Sequence, residues 1–336
     1  MKQYSYKLPN INVISNRPLP YPVGYTADAE YNIEFQIGSV TSTREFRQVS
    51  EFCFGNEDAD EINFTASPMP PIKFRMYIRG ITGNRTLIEF NRSYNNVIRG
   101  AIGQLCPPEM HLDDLITIKL LAGGMTPVHG AAVEINNKCL LIIAPPGVGK
   151  SLTSAVAIKN GAKLMSDDMV ITDGNQIYPM FGVIHYSSTT IPEILNRSNF
   201  KVKMLRLINE SFPFVYYLYR LPSFQLQEFN IPTVESGKVD AVILLLNGEN
   251  GLHKLSKQDS LNRILAINRR ELHYFKNELL LSFSCFNKGL DLEGLMAKEC
   301  SILDELVGNH PTYLCTAPNP YDYWEVISKN IFKGFD

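Results

Sequence analysis

Five side chains in one stretch of this sequence combine an ammonium, an imidazole, a hydroxyl and two carboxylates: Lys150, His129, Ser151, Asp167 and Asp168. The centre of the set is the run Ala144-Pro145-Pro146-Gly147-Val148-Gly149-Lys150-Ser151-Leu152. Glycines let backbone N–H groups curl round an anion, and the N-terminus of a following helix adds positive potential. In a loop of this kind the lysine reaches the β- and γ-phosphates of a nucleotide and the serine hydroxyl serves Mg²⁺. The run fits G-x-x-x-x-G-K-[ST], the Walker A pattern, except that Ala144 stands at the first glycine. A chance Gly/Pro turn carrying an exposed lysine is the competing explanation, and the surrounding pattern argues against it.

That pattern is strand, loop, helix. Cys139 to Ile143 is an unbroken apolar run, the signature of a strand buried on both faces. Helical spacing opens at Ser151 and runs to Asn160, with Gly161 as a stop signal. Upstream, Val128-His-Gly-Ala-Ala-Val-Glu-Ile135 reaches the loop strand through Asn136-Asn137, a two-residue hairpin turn, so His129 starts a strand that pairs with the one ending at the phosphates. Downstream, Ala162 to Met165 begins a strand that delivers Asp167 and Asp168 before a hairpin over Met169–Thr172 and Asn175–Tyr178. The two carboxylates are thereby expected to face the γ-phosphate.

The rest of the chain sets bounds. Its 336 residues favour two domains. Residues 1 to about 110 read as a small β-rich unit, with alternating strands at Tyr31–Ile37, Glu61–Thr65, Lys73–Ile78 and Thr86–Phe90, taken as antiparallel and as separable from the remainder. Residues 111 to 336 carry the mixed α/β pattern. Helices are expected over Tyr94–Gln104, Leu112–Leu121, from Ser256, over Leu292–Leu306 and Tyr321–Phe332, and strands over Val239–Leu246 and Pro311–Cys315. Asp113 and Asp114 read as macrodipole partners at a helix start, and Glu57–Glu61 as a solvated acidic loop. Residues 181 to 236 hold aromatic pieces that suit either a core patch or a substrate-facing insertion. A net charge of -2 argues against nucleic acid and anionic membrane as partners. The sequence has no apolar N-terminal leader, no membrane-length run and six cysteines without C-x-x-C spacing, which together point to a reducing, cytoplasmic setting.

His129-Gly130, the Gly-Val-Gly-Lys-Ser loop and Asp167-Asp168 with its hairpin, in that order and at those spacings, resemble the HPr kinase/phosphorylase superfamily of P-loop kinases, related in fold to phosphoenolpyruvate carboxykinase. The likeness spans about residues 111 to 336 and is specific over 128 to 180. It implies a P-loop α/β mixed sheet with helices, ATP and Mg²⁺ as cofactors, and a set of roles. Lys150 and the 144–152 backbone would hold the phosphates; Ser151 and Asp168 would serve Mg²⁺; Asp167 would take the acceptor proton, with His129 beside it. The Leu-Glu-x-Arg-Gly-x-Gly signature of HPr kinase and its basic C-terminal loop are missing. The resemblance is therefore to divergent HPr-kinase-related proteins, some of which phosphorylate a peptide hydroxyl during peptide maturation.

The expected activity is ATP-dependent phosphoryl transfer to a hydroxyl of a peptide, protein or small molecule, with a homo-oligomer left open. Three rivals stand beside it: a switch or motor NTPase, a carboxykinase-like lyase and a non-catalytic nucleotide-gated scaffold. No Asn-Lys-x-Asp guanine motif and no ABC signature favour the first of these, and an intact set of Lys150, Ser151, Asp167 and Asp168 speaks against the last.

Overall fold

The computed structural model describes residues 3–22, 31–40, 46–56, 60–69, 71–97, 107–181, 183–184, 224–225 and 231–332. Residues 4–91 build an eight-stranded sheet from β1 (Tyr4–Leu8), β2 (Ile11–Ser15), β3 (Tyr31–Gly38), β4 (Arg47–Gln48), β5 (Cys53–Asn56), β6 (Glu61–Met69), β7 (Ile72–Arg79) and β8 (Arg85–Asn91). Their order is β1-β2-β3-β8-β7-β6-β5-β4. The sheet is mixed rather than antiparallel: β3 runs parallel to both β2 and β8. Long connections on either side of β3 let the chain return in the same direction, which a tight hairpin cannot do. Of the two strands at the start, β1 (Tyr4-Ser-Tyr-Lys-Leu8) alternates over only five residues, and β2 escapes the alternation test because it is buried at nearly every position.

Helix α1 (Arg92–Val97) follows, and α2 (Pro108–Ala122) opens on a proline at its first turn. The expected Tyr94–Gln104 helix is seen to Val97; 98–106, with Cys106, lies outside the described residues. Because α2 starts at Pro108, Asp113 and Asp114 sit in its second turn, not at its start. Asp113 accepts a hydrogen bond from the Tyr21 hydroxyl. Asp114 is buried, 2.9 Å from His273 Nδ1 and 2.6 Å from Asn277 Nδ2. The acidic stretch is also structural where it is described. Asp60 Oδ2 accepts from Thr82 N, Thr82 Oγ1 and Gly83 N, and Glu61 is buried in β6; 57–59 lies outside the described residues.

The second sheet holds the glycine loop. Its elements are β9 (Thr126–Ile135), β10 (Lys138–Ile143), α3 (Lys150–Lys159), β11 (Lys163–Ser166), β12 (Met169–Thr172) and β13 (Gln176–Pro179). The minor pair β14 (Val183–Ile184) and β15 (Phe224–Gln225) stands apart, and most of 181–236 lies outside the described residues. Then come β16 (Gly237–Asn247), β17 (Gly251–Lys254), α4 (Lys257–Glu271), α5 (Glu278–Phe286), α6 (Leu292–Asn309), β18 (Thr312–Ala317) and α7 (Tyr323–Ile331). Pairing runs round a ring, β9 to β10 to β16 to β13 to β12 and back to β9, with β18 and β17 extending from β16. Strand β10 is parallel to β16 and antiparallel to β9. The Asn136-Asn137 turn has φ of 51° and 57°, as a type I′ hairpin needs.

Alternation along β10 explains its unbroken apolar run. Leu140 and Ile142 join a core with Ala155 of α3 and Trp324 and Ile327 of α7. Cys139, Leu141 and Ile143 point the other way, into a core with Leu261 and Ile264 of α4 and Leu303 and Leu306 of α6. Each such buried side chain stabilises the fold by roughly 1.5–3 kcal/mol, so both helical layers clamp the strand that ends at the loop.

The two sheets share a third core. Strands β1 to β3 and β5 to β8 pack with Leu112, Leu115 and Ile116 of α2, Leu279, Leu280 and Phe283 of α5, and Leu292 and Leu295 of α6. Lys119 of α2 is buried and donates to the carbonyls of Gly80, Ile81 and Gly83 in the β7–β8 turn. Apolar core and this lysine clasp both run across the boundary near residue 110. Among the described residues no helix is long and apolar enough to cross a membrane. Cys53, Cys139 and Cys315 are buried free thiols, and Cys285 is exposed.

Candidate active site

Strand β9 changes partner in its middle, and the site lies at that change. Met169 of β12 faces His129, while Ile143 at the end of β10 faces the next residue, Gly130. A side chain at Gly130 would meet Leu141 Cδ1 at 3.0 Å and the Ile142 carbonyl at 3.1 Å. Glycine there lets β9 and β10 approach closely, and this brings the start of the 144–149 loop beside His129. The Gly130 N–H donates to the carbonyl of Asp168 at 3.1 Å, tying β9 to the turn before β12.

The loop leaves β10 at the fully buried Ala144, where a small side chain fits the core and the usual glycine is not required. Gly147 (φ 81°) and Gly149 (φ 121°) then take backbone conformations that L side chains rarely adopt. Gly149 caps α3 without any side-chain hydrogen bond, and the first turn of α3 carries no acidic residue. Neither the cap residue nor an acidic side chain of the first turn accepts from its leading N–H groups, the condition in which a helix start attracts an anion.

Lys150 is the hub. It is only 8% exposed, and its Nζ reaches His129 Nε2 at 3.1 Å, the Asp168 carbonyl at 3.1 Å and Asp168 Oδ1 at 3.2 Å. His129 Nδ1 lies 3.7 Å from the same carboxylate oxygen. An ammonium can only donate, so Nε2 must accept and the imidazole proton sits on Nδ1, toward Asp168. Burial first, and then the Lys150 charge, push the His129 pKa down to about 4, which keeps the ring neutral at physiological pH.

Asp167 points to the other neighbour. It is buried near Ser151, and burial raises its pKa to about 6 against the opposing pull of Lys150. The adjacent carboxylates thus differ in surroundings. Asp167 is dry and close to holding a proton at neutral pH; Asp168 is 39% exposed and paired with Lys150. Such a split suits one group for proton transfer and the other for holding a cation. All five expected residues, His129, Lys150, Ser151, Asp167 and Asp168, come together.

A supporting shell has no local signal. Asn268 of α4, fully buried, accepts from the His129 N–H at 3.1 Å and donates to the Pro127 carbonyl at 3.1 Å. Its amide also faces Glu299 Oε1 of α6 at 3.3 Å. Glu299 is itself buried, accepting from the Tyr274 hydroxyl at 2.7 Å with Arg269 at 3.2 Å. Asn268 therefore fixes β9 on both sides of Val128 from 139 residues away. Neither spacing nor composition marks it in the sequence.

No protein-family profile matches the chain, and no curated protein matches it. Among solved structures it is similar to the Hpr(Ser) kinase/phosphatase from Coxiella burnetii, over 39% of this chain and 77% of that one, with 14% identity and a TM-score of 0.23.

Proposed function

We propose that this chain is an ATP-dependent phosphotransferase that moves the γ-phosphoryl group of ATP to a hydroxyl, best a serine of a peptide or protein. One observation carries the reading. Lys150, His129 and Asp168 meet at the mouth of an uncapped helix, with Ser151 and the buried Asp167 beside them.

The 144–152 backbone and Lys150 hold the polyphosphate. Hard oxygen donors at Ser151 and Asp168 suit Mg²⁺, which would neutralise phosphate charge when bound. In the transfer, the bond from the γ-phosphorus to the β,γ-bridging oxygen breaks as the acceptor oxygen bonds to phosphorus, and ADP leaves. Asp167 takes the acceptor's proton, a task that a carboxylate near pKa 6 performs well at neutral pH. His129, neutral, accepts from Lys150 and keeps the ammonium aimed at the phosphates without adding a competing charge. Residues 1–110 act as the acceptor-recognising unit, and the free thiols fit a cytoplasmic setting.

Lys150→Ala tests the binding half. Calorimetric titration with ATP and Mg²⁺ should show most affinity lost, while the far-ultraviolet circular dichroism stays unchanged. Equal affinity in variant and parent refutes the loop assignment. Transfer of labelled γ-phosphate to serine peptides, measured beside release to water, tests the chemical half; a parent that only hydrolyses ATP across a broad acceptor screen is not a kinase.

A further inference from the structure

The segment that follows β18, Pro318 to Asp322, packs against the glycine loop. A Cβ at Gly149 would come within 2.7 Å of Pro320 Cβ, so the proline ring packs against the bare face of Gly149. The segment is fixed in place. Tyr321 N–H donates to Asn319 Oδ1 at 3.1 Å, Asp322 N–H donates to the Asn319 carbonyl at 3.0 Å, and Tyr323 and Trp324 are buried immediately after. Tyr321 itself is 46% exposed. It is one of three large hydrophobic side chains exposed among the described residues, and the other two, Phe52 and Leu281, belong to the first sheet's strand edge and to α5.

Position across the sheet gives this tyrosine a direction. His129 and Asp168 belong to β9 and to the turn before β12, on one side of β10. Segment 318–322 follows β18, which lies beyond β16 on the other side. On the proposed nucleotide reading, a polyphosphate whose reacting end meets Lys150, His129 and Asp168 would have its other end on the Gly149 side of the loop, where Pro320 packs. We infer that Tyr321 is the stacking platform for the nucleobase. The inference rests on the proposed nucleotide reading and adds the base subsite to it. An aromatic face holds any base by stacking, so recognition at this end is tolerant of base identity and favours purines for their larger faces.

The test compares ATP, GTP and inorganic tripolyphosphate, each with Mg²⁺, by calorimetric titration of the full chain. Tyr321→Ala should weaken ATP and GTP binding by roughly 5- to 150-fold, the range of one base–aromatic stack, and leave tripolyphosphate binding unchanged. Tyr321→Trp should retain nucleotide affinity and show quenching of its added indole fluorescence on ATP binding. Equal ATP affinity in Tyr321→Ala and parent overturns the inference while leaving the phosphate reading intact. An equal loss for ATP and tripolyphosphate also overturns it, since the substitution would then act through the loop. A parent that binds neither ligand sinks the nucleotide reading and this inference together.

Discussion

Replacing Asp167 by asparagine should make the protein more stable and less active at once. In the folded chain burial lifts the Asp167 pKa from the ordinary 3.8 to about 6. A raised carboxyl pKa means that the native state holds the proton more tightly than the unfolded chain. Between pH 3.8 and 6 the native state therefore binds more protons, and stability falls as pH rises through that window. Above it, at pH 7, the whole penalty of an ionised buried carboxylate is present. At 1.36 kcal/mol per pH unit the penalty is about 3 kcal/mol. Asparagine has the same shape and carries no charge.

Urea denaturation of Asp167→Asn should then show a gain approaching about 3 kcal/mol at pH 7, shrinking as pH falls through the window and vanishing only well below pH 3.8, where the parent's carboxyl is protonated in both states. The same variant should lose roughly 10²–10⁴-fold in phosphoryl transfer if the group is the proton acceptor, with Mg²⁺–ATP binding retained. A variant no more stable than the parent at pH 7, or one whose difference does not change with pH, shows that Asp167 is not held dry and ionised. Undiminished transfer by a stabilised variant would leave the electrostatics standing and remove the base.

Two further outcomes follow from the supporting structure. Asn268→Ala leaves the His129 N–H and the Pro127 carbonyl without their buried partner, a loss of about 1–3 kcal/mol; beyond that destabilisation, the His129 pKa followed by NMR should rise from about 4 toward 6.5 as β9 loosens and Lys150 drifts away, and an unchanged value rejects the link. A chain beginning at Glu109 uncovers Leu112, Leu115, Ile116 and Lys119, so it should be insoluble or lose its cooperative melt, whereas a soluble fragment with a sharp transition means that the shared core is dispensable.

Legibility tracked sequence distance. Strand β10, its loop and α3 were readable because one apolar run, two glycines and a helical period sit within about twenty residues, and each is a local consequence of backbone preference. The hairpin at Asn136-Asn137 and the Ser256 cap, where Ser256 Oγ accepts from Asp259 N, were readable for the same reason. Asp114 was misread because its partners, His273 and Asn277, lie 159 and 163 residues on; only packing of α2 against the 272–277 segment turns an apparent helix-start charge into a buried acceptor. The first sheet was expected to be antiparallel since alternation reports burial on one face and says nothing about strand direction. Asn268 carried no signal at all, being one amide inside a helix whose meaning comes from β9.

The arrangement of Lys150 also bears on how ligands would enter. Each of its three N–H donors has an acceptor: His129 Nε2, the Asp168 carbonyl and the Asp168 carboxylate. A phosphate must displace at least one of them, and the half-exposed carboxylate, already solvated in part, is the acceptor that yields most readily. Giving up that pair leaves Asp168 without its ammonium at the moment when more negative charge arrives. With Asp167 ionised at neutral pH and His129 held neutral by burial, neither of these two side chains adds a cation beside Lys150; among the described residues the next positive charge felt at His129 is Arg270. Coulomb repulsion from the two carboxylates in a partly dry site would then oppose a bare polyphosphate. A divalent cation arriving with the phosphates meets the released Asp168 and removes the conflict, so anion and cation each create the other's site. On this reading the neutral imidazole is essential to the exchange. It keeps one donor of Lys150 occupied without charge, so the ammonium can turn from carboxylate to phosphate while staying anchored.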